Sequence, residues 1–84
     1  MKQITLDGNL LADAATLHDY LKETLNLPGY YGKNLDALHD CLTDLDNIEI
    51  SITMPEENGA IFQKVLRVFK AADRENDSLK LNIL

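Results

Sequence analysis

Asp36, His39 and Asp40 fall within five consecutive positions of the 84-residue chain, with Asp44 four further on and the adjacent tyrosines Tyr30 and Tyr31 just ahead. Carboxylates beside an imidazole can serve acid–base catalysis or hold a metal, and carboxylates behind aromatics can form a protein-docking surface. These chemistries need different surroundings. A zinc or iron site needs three or four convergent ligands, and acid–base catalysis needs a pocket that perturbs pKa values. On a helix turning roughly 100° per residue, the three side chains span a wide arc, and the other histidine, His18, belongs to a different helical stretch. The pattern favours docking: no catalytic residue, no metal site and no cofactor is expected.

The aspartates share a face. Asp36, Asp40 and Asp44 recur every four residues, opposite a stripe of Leu35, Leu38, Leu42 and Leu45, with Asn34 placed to cap the helix. Like charges at i, i+4 cost a few tenths of a kcal/mol, and only Asp36, in the first turn, gains from the helix dipole. The chain accepts that small cost to present an acidic ridge. Taken singly such residues are ordinary solubilising surface; tyrosines beside them shift the reading toward an interface, because tyrosine is enriched in interface cores and charge at their rims. Tyr31 is equally compatible with a core position. Gly32 is expected to supply a positive φ that turns the loop onto the helix. Cys41 lies toward the leucine side and reads as a small buried hydrophobe, not a nucleophile.

The elements that position this segment are legible from periodicity. Ile4 and Leu6, then Ile48, Ile50 and Ile52, then Leu79, Leu81 and Ile83 alternate with period two, as strands with one apolar face do. Between the first two, Leu17, Tyr20, Leu21 and Leu25 recur at helical spacing after Asp13, a good N-cap, with Pro28-Gly29 just beyond. Between the second and third, Ile61 or Phe62, Val65, Leu66, Phe69 and Ala72 form another stripe, beginning near Asn58-Gly59. Strands separated by helices imply parallel pairing through right-handed crossovers. Alternation within each strand implies helices on one face only. The expectation is a single two-layer α/β domain over residues 1–84, with a three-stranded parallel sheet in order 1-2-3.

Composition bounds the partner. Eight Lys+Arg against 14 Asp+Glu give a net charge of −6 in a chain that is 45% hydrophobic, too apolar for disorder. An acidic fold disfavours nucleic acid and anionic membrane as partners and favours a basic protein. No apolar run reaches the roughly 18 residues of a membrane span, and Met1 to Asp7 lack an apolar segment of signal-peptide length. The lone Cys41 excludes an internal disulfide. A cytoplasmic protein, monomeric when free, is expected.

The run Leu27-Pro28-x-Tyr30-Tyr31-Gly32-x-Asn34-Leu35-Asp36-Ala37-Leu38-x-Asp40-Cys41-Leu42-Thr43 resembles the signature of the barstar family, intracellular protein inhibitors of barnase-type ribonucleases. The resemblance extends to Leu17-His18, to Glu57-Asn58-Gly59-Ala60, and to Val65-Leu66-x-Val68-Phe69 followed by Ala72. It implies a three-stranded parallel sheet with helices, and an acidic helix and preceding loop that plug the active site of a small basic ribonuclease. Asp40 would take the place of the RNA phosphate, Asp36 would meet a basic residue at the rim, and Tyr30 would pack on the catalytic imidazole. Gly32, Asn34 and Leu35 would give backbone and shape contacts. Tyr31, His39, Thr43, Asp44, Leu45 and Glu75 complete the expected partner-binding set.

Three positions depart from the family pattern. His39 stands where the well-known family inhibitor has tryptophan. Ala71 replaces an acidic residue on the last helix, and Glu75, one turn on, is placed to substitute for part of it. Thr53 to Asn58 leaves no room for a short extra helix. These departures keep a second reading open: a domain of the same fold directed at a basic partner that is not a ribonuclease.

Overall fold

The alternating apolar residues become strands that pair along one register. The computed structural model describes residues 2–29 and 31–84. Its sheet has β1 (Lys2–Leu6), β2 (Ile48–Ile52) and β3 (Leu79–Ile83) in order β1-β2-β3, all parallel. Ile4, Ile50 and Leu81 stand in one row across the sheet, and Leu6, Ile52 and Ile83 in another. The central strand buries Ile48, Ile50 and Ile52. Four helices, α1 (Gly8–Leu11), α2 (Leu17–Thr24), α3 (Leu35–Thr43) and α4 (Ala60–Glu75), account for the helical segments among the described residues. The fold is α/β with the expected all-parallel order.

The opposite sheet face carries polar side chains that satisfy one another. Glu49 accepts from Gln3 Nε2 at 3.1 Å and from Asn82 Nδ2 at 2.7 Å, with Lys80 Nζ 3.7 Å away. The Asn82 hydrogen bond, above all, holds the Glu49 carboxyl below the usual carboxylate range. This face therefore needs no covering layer, which is why the helices can all serve the other one.

The core is built from the predicted stripes. Leu17 and Leu21 from α2 with its C-cap Leu25, Leu38 and Leu42 from α3, and Phe62, Val65, Leu66, Phe69 and Ala72 from α4 are buried together with Leu6, Leu11 and the β2 isoleucines. Each large apolar side chain so buried contributes about 1.5–3 kcal/mol. Phe62 and not Ile61 is the inward residue at the start of α4; Ile61 is exposed.

One element is new and three local expectations are corrected. First, α1 is a single turn with no periodicity to announce it. Asp7 Oδ1 accepts from Asn9 N, and the turn docks on the loop after β2 through Gly8 N to Thr53 Oγ1 and Glu56 N to Asn9 Oδ1. A side chain at Gly8 would meet the Thr53 carbonyl at 2.0 Å, so close approach demands glycine there. Second, Asp13 caps a turn that leads into α2 and not α2 itself: it accepts from Ala15 N and Thr16 Oγ1, and Thr16 is the N-cap residue. Third, the positive φ expected at Gly32 belongs to Lys33, at 55°. Fourth, Cys41 is half-buried against the core, not enclosed by it.

α2 ends as its sequence allows. Asn26 adopts φ 53° just after the C-cap Leu25, Leu27 N donates to Lys22 O at 2.9 Å, and Asn26 N to Glu23 O. This 6→1 and 5→2 pair closes the helix and drives Leu27 into the core. The chain is thereby aimed at the loop before α3.

Candidate functional site

The loop into α3 is fixed from three sides. Tyr31 is 5% exposed, buried among core residues, with its hydroxyl hydrogen-bonded to His18 Nδ1 on α2. Burial pushes the Tyr31 phenol up to about 12, so it keeps its proton. Lys33 Nζ reaches Asp19 on α2 at 2.8 Å. Asn34, in extended conformation, accepts from Ala37 N at 2.8 Å and caps α3. Gly32 contributes room: a Cβ there would press on Asn34 Nδ2 at 3.2 Å and Ala37 Cβ at 3.5 Å, crowding that cap. Of the two tyrosines, Tyr31 is a core residue, and Tyr30 lies outside the described residues.

α3 then displays its acids as the four-residue spacing predicts. Asp36, Asp40 and Asp44 are exposed, while Leu35 and Leu45 are half-buried against the core and Leu38 and Leu42 are inside it. The Asp40 side chain is 86% exposed. Among the described residues no lysine or arginine pairs with Asp36, Asp40 or Asp44. Thr43 Oγ1 donates back to the Asp40 carbonyl at 2.8 Å, which keeps its hydroxyl on the helix. Cys41 sits between ridge and core. Burial, and then the charges of Asp44 and Asp40, push its thiol up, which disfavours the thiolate.

His39 does not stand free. Its Nε2 donates to Glu75 at the end of α4, and its Nδ1 lies 4.0 Å from Asp40. Glu75, expected as a substitute acid for Ala71, is therefore engaged within the molecule. Ala71, Leu35 and Val68 floor a cleft of about 370 Å³ between α3 and α4, with Asp36 and His39 on one wall and Lys64 and Arg67 on the other. The two basic residues were not among the expected site residues. Their signal in the sequence is a run of Lys64, Arg67, Lys70 and Arg74 at near-helical intervals on an otherwise acidic chain.

One further residue holds the site. Asn76 Nδ2 donates to the Leu45 carbonyl at 2.8 Å and, as a second donor beside Leu45 N, to the Leu42 carbonyl at 3.0 Å, tying the end of α3 to the residue that follows α4. α3 has no basic residue in its last turn. No group of three or more His, Cys, Asp or Glu side chains among the described residues could hold a metal ion.

Fold and ridge define a small one-sided α/β domain that presents a rigid anionic helix face. The chain belongs to the barstar family: the family model described as Barstar (barnase inhibitor) matches residues 1–83. It is 40% identical over a 93-residue alignment to a Bacillus subtilis (strain 168) protein named "Putative ribonuclease inhibitor YrdF", covering 99% of each chain.

Proposed function

We propose that the protein inhibits a small basic ribonuclease of the barnase type in the cytoplasm, acting as a monomer that seats α3 and the loop before it in the nuclease's active site. Asp40 stands in for the substrate phosphate and Asp36 meets a cation at the rim of that site. Asp44, Thr43 and the backbone around Gly32, Asn34 and Leu35 extend the contact. The observation that carries this reading is the pair of exposed carboxylates of Asp36 and Asp40, neither paired with a lysine or arginine among the described residues, on a helix capped at one end and clamped at the other, in a member of the barstar family. A site built to hold phosphate gathers positive charge, and a fixed carboxylate meets it with little ordering cost.

The test is inhibition of barnase-catalysed RNA cleavage. Wild-type protein should inhibit at one-to-one stoichiometry, and Asp40→Ala should weaken binding by roughly 3 kcal/mol or more, because a cationic pocket is left facing empty space. Asp36→Ala should cost less. The reading fails for barnase if wild type neither slows cleavage nor co-elutes with the enzyme. The His39–Glu75 pair, which fills the α4 side of the ridge in place of an aromatic and a free acid, favours a second reading, a different basic partner. The absence of both co-elution with barnase and inhibition of it, in a protein that is folded, would support it.

A further inference from the structure

α4 carries Lys64, Arg67, Lys70 and Arg74, half of the eight lysines and arginines in the chain, within about 120° of helix surface. All four are exposed, and among the described residues none lies within 4.0 Å of a carboxylate. The two acids of this helix are occupied elsewhere: Asp73 accepts from Leu81 N, and Glu75 receives His39. With four cations and two acids, residues 60–75 carry +2 in a chain of −6, so the remainder carries −8. Exposed lysines on a helix are ordinary surface. Here their placement is not, because Lys64 and Arg67 form one wall of the cleft whose other wall holds Asp36.

We propose that Lys64 and Arg67, on the α4 wall of this cleft, receive carboxylates of the ribonuclease beside the cationic site that the ridge meets. The inference rests on the reading above, in which the ridge meets that site. A partner seated across the cleft faces Asp36 on one wall and two cations on the other, so its surface must carry both signs, cation then anion. A polyanion such as RNA does not fit, because phosphates repeating along its backbone that neutralised Lys64 and Arg67 would also fall against the ridge. The Arg67 guanidinium can take a carboxylate through two parallel hydrogen bonds, and Lys64 adds a movable point charge. The half-buried floor of Leu35, Val68 and Ala71 excludes water from one side of these contacts. Nucleases that lack such carboxylates would meet bare positive charge and be rejected, which makes α4 the specificity helix.

Barnase binding is measured for wild type, Asp40→Ala, Lys64→Gln/Arg67→Gln and Lys64→Glu/Arg67→Glu, with thermal unfolding as the check on folding. The glutamine pair should weaken binding about tenfold and the glutamate pair about a hundredfold. Replacing the surface carboxylates of barnase by lysine, one at a time, should at one position or more restore binding to the glutamate pair while weakening it to wild type. The inference is overturned if the glutamine pair binds as wild type does while Asp40→Ala is impaired, or if no barnase replacement couples to the glutamate pair. If wild type itself does not bind, the ridge reading falls and this one with it. A labelled RNA oligonucleotide serves as the remaining arm: binding to wild type that vanishes in the glutamate pair would assign α4 to nucleic acid and overturn the inference.

Discussion

The Tyr31–His18 contact shows what residue type alone leaves undecided. The sequence places Tyr31 ahead of the ridge, equally suited to an interface and to the core, because the choice depends on a loop conformation set by the Lys33–Asp19 tie and the Asn34 cap. The positive φ was equally illegible: glycine is the cheap choice, yet Lys33 takes it, at a cost of about 1 kcal/mol that its contacts offset. The aspartates were fully legible, since a four-residue period fixes a face. The Tyr31–His18 contact also sets a pH response. Desolvation holds the His18 imidazole below its ordinary 6.5, so the unfolded chain binds that proton more readily than the folded one. Stability from this group is complete above pH 6.5 and falls as the pH drops from there toward the lowered value. The thermal midpoint of wild type should therefore fall more between pH 7.5 and 5.5 than that of His18→Gln; equal falls would show that His18 is not the group responsible. At neutral pH, Tyr31→Phe should cost about 1 kcal/mol in a denaturant titration, the net worth of its hydrogen bond.

Among the elements, α3 and α4 begin differently, and the difference is measurable. Asn34 caps α3 with its side chain, and Asn34→Ala should lower stability by about 1 kcal/mol and loosen the ridge, raising the dissociation rate from a nuclease. α4 begins at Gly59 with no side-chain cap and no acid in its first turn, and a Cβ at Gly59 would meet nothing within 4 Å. Gly59→Asp should raise the unfolding midpoint, by a few tenths of a kcal/mol, without changing nuclease affinity. Loss of stability there would show that the glycine serves another purpose. Strands and long helices were legible because apolar spacing repeats over several turns. α1 was not, because four residues hold a single turn, and its cap at Asp7 stands next to a strand end that already accounts for the preceding residues.

For the molecule as a whole, net charge and its distribution lead to different expectations. The sum of −6 describes how the protein meets a cationic partner from afar, and the association rate with a basic ribonuclease should fall markedly as salt shrinks the Debye length from about 10 Å at 0.1 M to about 3 Å at 1 M. A rate insensitive to salt would remove the ridge as the docking face. The distribution, acid on α3 and base on α4, should act on the close contact, so Lys64→Gln/Arg67→Gln should change the dissociation rate more than the association rate. Sequence arithmetic supplied the first; the second needed the two helices side by side, since Asp36 and Arg67 are 31 positions apart and meet only across the cleft.

The clamp at Asn76 adds a matter of timing. The carbonyls that close α3 wait for an amide 34 and 31 residues downstream, and β2 waits equally for β3. A nascent chain that has just finished α3 thus holds the ridge residues without a fixed helix to display them. At typical synthesis rates the stretch from Asp44 through β3 takes roughly 2–8 s to emerge. The ridge is displayed on a fixed helix only when nearly all of the chain has been made, so a chain still lacking β3 should bind a nuclease more weakly than the completed one.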